Sequence, residues 1–141
     1  MVARYRDGVV PVGRVDAVLG EDFEGALDRL RELIDRAELS QALEVIWTLV
    51  RRLNRYVEET APWVLAKDEA DPARLDEVLY NLIEGLRVVT LMLVPYLPAT
   101  ADSLLVALGE EGRGLAELGS RDGGQQVERI APLFPKIEAP A

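Results

Sequence analysis

A chain of 141 residues, 49 % of them apolar and with a formal charge of −9, has room for one hydrophobic core and not for two ordinary domains. It contains neither cysteine nor histidine, which excludes disulfides, thiolate metal sites, a thiol nucleophile and the commonest general base. The acidic balance speaks against a general nucleic-acid coat protein, but charge acts over about 8–10 Å at ordinary salt, so a local basic site remains compatible with it.

No apolar run reaches the roughly 20 residues that span a bilayer. The strongest, Val88 to Val94, is stopped by Pro95. The N-terminus lacks the apolar region of a signal peptide. These features fit a cytoplasmic protein with no membrane partner.

Arg4-Tyr5-Arg6-Asp7-Gly8 reads as the last turn of a helix closed by a glycine. That helix has almost no body after Met1, which suggests a piece of a longer chain. The next helix is expected to start near Asp22, a good capping residue. Phe23, Ala26, Leu27, Leu30, Leu33, Ile34 and Ala37 form its apolar stripe at three- and four-residue spacing. Ser40 is the expected cap of a following helix with the stripe Leu43, Ile46, Trp47, Val50, Leu53, Asn54 and Val57. Asn54 is the odd member. On pattern alone it is a core amide bonded to a neighbouring element, because buried polar groups are satisfied internally; direct ligand contact is the alternative. The helix must end before Pro62.

Asp71-Pro72 starts the next helix, which carries Leu75, Val78, Leu79, Leu82, Ile83, Leu86, Val89 and Leu93. It turns apolar almost all round after Arg87, so a central position is predicted. Pro95 and Pro98 break it, and Thr100 is the expected cap of a short last helix closed by Gly109. The fold class is therefore all-α, a bundle of about four helices over residues 1–108. A glycine-rich linker and extended tail, residues 109–141, would pack back on it, with Leu133, Phe134 and Ile137 pinned in a surface groove.

The chain alone reads as non-catalytic, and no metal site is expected. Gly119-Ser120-Arg121-Asp122-Gly123-Gly124 lacks the preceding strand and the lysine of a phosphate loop. Glu58-Glu59 and Glu110-Glu111 read as solvated surface. A binding feature stands out more: Arg51, Arg52 and Arg55 are clustered on the helix that leads to Tyr56 and Trp63, and Lys67 follows. Cations beside exposed aromatics suit single-stranded nucleic acid, the charges holding phosphates and the rings stacking on bases. Against this, cations near a helix C-terminus also complement its dipole, and Trp63 could simply close the core.

The segment Asn54-Arg55-Tyr56-Val57-Glu58-Glu59-Thr60-Ala61-Pro62-Trp63, followed by Leu65-Ala66-Lys67-Asp68, resembles the signature of the anticodon-binding helical domain of methionyl-tRNA synthetases. Arg4 to Gly8, Leu79 to Leu82, Leu86 to Val88, Val94 to Ala101 and Pro132 to Glu138 resemble further segments of that domain in the same order. The resemblance implies a partner, tRNA carrying a CAU anticodon, and a catalytic domain in the same polypeptide that would bind ATP and methionine. No cofactor is expected in this chain, which alone should be inactive. The resemblance also implies that Trp63 stacks on an anticodon base. Asn54, Arg55, Tyr56 and Pro62 are its supporting motif, with Arg51, Arg52 and Lys67 as candidate phosphate contacts. The family's other reading pair, an Asn and an Arg, would lie upstream of Met1, so weak anticodon discrimination by this chain alone is expected. Two alternatives stay open: the related domain of a valine, isoleucine, leucine or cysteine synthetase, and a stand-alone helical interaction module.

Overall fold

The computed structural model describes residues 1–68 and 70–140. Among these, four long helices, α2 (Ala17–Asp35), α3 (Leu39–Thr60), α5 (Pro72–Leu93) and α6 (Pro98–Ala107), are joined by two single turns, α1 (Val2–Tyr5) and α4 (Pro62–Leu65). The all-α expectation holds. Among the described residues no helix is long and apolar enough to cross a membrane.

Helix α5 is the centre. It packs on α3, α4 and α6, while α2 packs on α3. Its second half is buried almost all round, from Arg87 to Met92, as its apolar sequence predicts. The core joins Leu19, Phe23, Leu27, Leu30 and Leu33 of α2 to Ala42, Ile46, Leu49 and Tyr56 of α3 and Val78, Val88, Val89 and Met92 of α5. Each large aliphatic buried there contributes about 1.5–3 kcal/mol. Gly85 leaves room for the Leu53 side chain of α3: a Cβ there would lie 2.5 Å from Leu53 Cδ2.

Several helix boundaries differ from expectation. Helix α2 begins at Ala17 rather than near Asp22, because Asp16 is the cap and accepts a 3.0 Å bond from the Leu19 N–H. Ser40 and Thr100 lie inside α3 and α6, whose N-caps are Glu38 and Leu97. Asp71 and Pro72 do start α5, with the Asp71 carboxylate accepting from Arg74 N–H. The turn after α1 passes through Asp7 and Gly8 at φ +53° and +83°, and Gly109 closes α6 at φ +67°.

The face of α3 also differs. Ala42, Ile46, Leu49 and Tyr56 are buried, while Leu43, Trp47 and Asn54 are exposed. The helix is apolar on two adjoining sides, and α2 and α5 cover only one of them. Ile34 of α2 and Ala37, just past its end, are exposed, and Leu19 joins the core instead.

Residues after Gly109 are tied to the bundle by polar bonds rather than apolar stripes. Val10 N–H donates to Gln125 O at 2.9 Å, and Val127 N–H to Gly8 O at 2.7 Å, which zips the two ends of the chain antiparallel. Beneath them lies an ionic cluster. Glu84 and Arg87 of α5 are both buried and paired, and Arg87 reaches Glu110 at 2.9 Å and Ser120 Oγ at 2.7 Å. Gly119 N–H donates to the Glu84 carboxylate at 3.0 Å. The glycine-rich loop thus holds one of the protein's own carboxylates. Glu110, expected as solvated surface, is instead an ion-pair partner. Burial alone would raise its pKa, but the Gly112 N–H and Arg87 outweigh that and lower it. The tail differs too: Leu133 is half-buried, but Phe134 is 72 % and Ile137 97 % exposed, so no groove pins them.

Candidate nucleic-acid interface

The end of α3 decides where Trp63 points. Pro62 cannot follow a helical residue, and Ala61 before it takes the left-handed conformation, φ +41° and ψ +62°. That single residue stops α3, and Pro62 then occupies the first position of α4, where its missing N–H costs nothing. Val64 N–H bonds back to Ala61 O at 2.8 Å and fixes the turn. A non-glycine residue at positive φ costs on the order of 1–3 kcal/mol, so the surrounding packing must hold it.

It is held from below. Pro62 is buried, Leu65 packs against the core, and Tyr56 lies buried one turn before the helix end. Thr60 Oγ1 donates to Tyr56 O at 2.6 Å. Burial pushes the Tyr56 phenol up to about 12, so it stays neutral at any physiological pH. The Arg52 guanidinium stands 6.0 Å from the centre of the Tyr56 ring.

With Pro62 and Leu65 inward, α4 turns Trp63 and Val64 outward. Trp63 is 46 % exposed, so it does not close the core; Pro62 and Leu65 do that. Lys67 is exposed just beyond.

The cations divide into two groups. Arg51 and Arg55 are exposed; Arg51 makes only a 3.3 Å bond to Thr48 Oγ1, and Arg55 has no ion pair among the described residues. Arg52 reaches into a cleft between α2 and α3 whose rim Arg55 also lines. It bonds Asp22 at 2.7 Å and contacts Glu59 at 3.4 Å. The hydrogen bond to Asp22 holds its pKa above the ordinary arginine value. Its charge is already answered, so Arg52 does not stand with Arg51 and Arg55 as an open cation.

Asn54 is exposed on α3, which corrects its reading as a core amide. The buried amide of this fold is Asn81, fully enclosed on α5. Its Oδ1 accepts from Asp16 N–H at 2.9 Å, and its Nδ2 donates to Arg14 O at 2.8 Å and Glu77 O at 2.9 Å. Residue type offered no signal for that role, because the deciding partners, the backbone groups of Arg14 and Asp16, are distant in sequence. Among the described residues no cluster of three acidic side chains stands close enough to hold a metal ion.

Comparison with known proteins gives a consistent picture. A family model described as the anticodon binding domain of methionyl tRNA ligase matches residues 8–139. The methionine–tRNA ligase of Clostridium acetobutylicum is 39 % identical over 98 % of the chain, and that of Lactococcus lactis 36 % identical over 98 %. The chain spans 22 % of the length of each. The apo crystal structure of Mycobacterium tuberculosis methionyl-tRNA synthetase superposes on 99 % of the chain with a TM-score of 0.88 and 34 % identity, and the match covers 30 % of that protein. These relatives favour methionine over the valine, isoleucine, leucine and cysteine alternatives.

Proposed function

The chain belongs to the family of methionyl-tRNA ligase anticodon-binding domains, and from that premise we propose that it holds the anticodon loop of tRNA with Trp63 stacked on an unpaired base. The observation that carries this reading is the geometry of α4. A left-handed Ala61 and a buried Pro62 hold an indole outside the core, past the end of a helix that carries Arg51 and Arg55 open to solvent about one to three turns earlier. A ring so held has little freedom left to lose on binding, and stacking tolerates any base. Base identity, with CAU as the expected anticodon, must come from hydrogen bonds to base edges. Exposed Asn54, with both donor and acceptor capacity, is the side chain of the motif able to make them.

Helix α5 backs the site, with Leu65 and Ala66 packed beside Leu75 and Leu79. The catalytic work, ATP-dependent attachment of methionine, falls to a catalytic domain of the ligase; this chain positions the tRNA for it. The acidic total charge of −9 restricts RNA contact to the local basic patch instead of the whole surface.

The test is the affinity of a methionine–tRNA ligase containing this chain for its tRNA. Trp63→Ala should weaken binding by roughly 5- to 150-fold, the equivalent of one lost stack, while Trp63→Phe keeps a ring and most of the affinity. Equal affinity for the parent, Trp63→Ala and Trp63→Phe proteins would remove Trp63 from the interface.

A further inference from the structure

The chain has two tryptophans, and the second, Trp47, is also out of the core, 48 % exposed on α3. Its neighbours Ile46 and Leu49 are buried, so the exposure is not a matter of α3 being peripheral. At about 100° per residue, Trp47 lies within about 20° of Asn54 around the helix, with Arg51 about 40° and Arg55 about 80° away. The four side chains share the solvent side of α3. Arg51 and Arg55 follow Trp47 at one and two turns, and neither has a carboxylate partner among the described residues. Glu44 and Glu58, exposed on the same side, bound the patch at its two ends. Trp47 is about 10 Å along the axis from Asn54 and about 20 Å from the helix end that carries Trp63.

An exposed indole flanked by open guanidinium groups is the composition that holds single-stranded RNA. A protein partner would favour the apolar flank of Leu43 and Val50 without needing the arginines. We propose that Trp47, with Arg51 and Arg55, is a second stacking platform that takes an unpaired nucleotide of the same tRNA loop outside the base held by Trp63. This rests on the anticodon-loop reading and extends it along α3. Arg51 and Arg55 contact the intervening phosphates, so the loop lies along the helix and not only across its end.

Having only two indole N–H groups makes the test direct. The ¹⁵N-labelled chain is titrated to saturation with an anticodon stem-loop RNA and, separately, with a blunt RNA duplex that has no loop. Both indole resonances should shift with the stem-loop and not with the duplex. Trp47→Ala should weaken stem-loop binding by roughly 5- to 150-fold, and Trp47→Phe by only a few fold. Trp47→Gln, which keeps an exposed polar chain at a surface position, guards against loss of folding and should behave as Trp47→Ala. A shift at Trp63 without one at Trp47, or a Trp47 shift with unchanged affinity in both truncated variants, overturns the second platform and leaves the anticodon-loop reading standing. Silence at both indoles overturns both.

Discussion

Two asparagines divide the work that one motif suggests for a single residue. Asn54 stands in solvent on α3, where its amide can turn to a partner; Asn81 is sealed in α5 with three of its four hydrogen-bonding capacities used on backbone groups. Leaving those backbone groups unpaired costs on the order of 1–3 kcal/mol each, less whatever the site relaxes. Asn81→Ala should therefore destabilise the fold by about 2–3 kcal/mol, whereas Asn54→Ala stays within about 0.5 kcal/mol, as surface changes do. Urea denaturation of the two variants checks this; matching losses would contradict the assignment. Spacing alone could not separate these residues. Helix α3 has apolar residues on two adjoining sides, and periodicity does not say which side a neighbour covers. The end of α3 just before Trp63 was better marked, because Pro62 is a backbone constraint that holds whatever packs nearby.

Helix starts show the same contrast between local and distant causes. Asp71-Pro72 was legible because cap and first helical residue are adjacent, and the chemistry is complete within one turn. The start of α2 was not. Asp16, Gly20 and Asp22 offer two capping acids around a residue that weakens helices, and only the bonds of Asp16 N–H to Asn81 and of its carboxylate to Leu19 N–H decide between them. Asp22 instead pairs with Arg52 on the surface. Asp16→Ala should cost about 1 kcal/mol through loss of the cap. Asp22→Ala removes a partly exposed pair and should cost less than about 1 kcal/mol. Thermal unfolding of both variants ranks them, and a larger loss for Asp22→Ala would place the helix start wrongly.

At the scale of the molecule, the bundle and the segment after Gly109 are coupled by charge. Glu84 and Arg87, each with 3 % of its side chain exposed, are taken out of water together, and Glu110, Ser120 and Gly119 complete their bonding. Such a cluster is invisible to hydropathy, which reads Glu84 and Arg87 as surface residues of α5. A buried pair adds little by itself, but breaking it strands a charge. Arg87→Ala should cost about 3–5 kcal/mol, and Arg87→Met much less if Glu84→Gln is made with it. A double variant as unstable as the single one would show that the cluster is not coupled. The general architecture was easier to read, because long apolar stripes, prolines and caps already specify a helical bundle.

If Trp63 stacks on tRNA as proposed, its removal weakens the charging of tRNA and spares the activation of methionine. The measurement compares two reactions in a methionine–tRNA ligase containing this chain: ATP-dependent activation of methionine without tRNA, and charging of tRNA. Trp63→Ala should lower kcat/KM for charging by roughly 5- to 150-fold and leave activation within about 2-fold of the parent. An equal fall in both reactions would contradict that stacking.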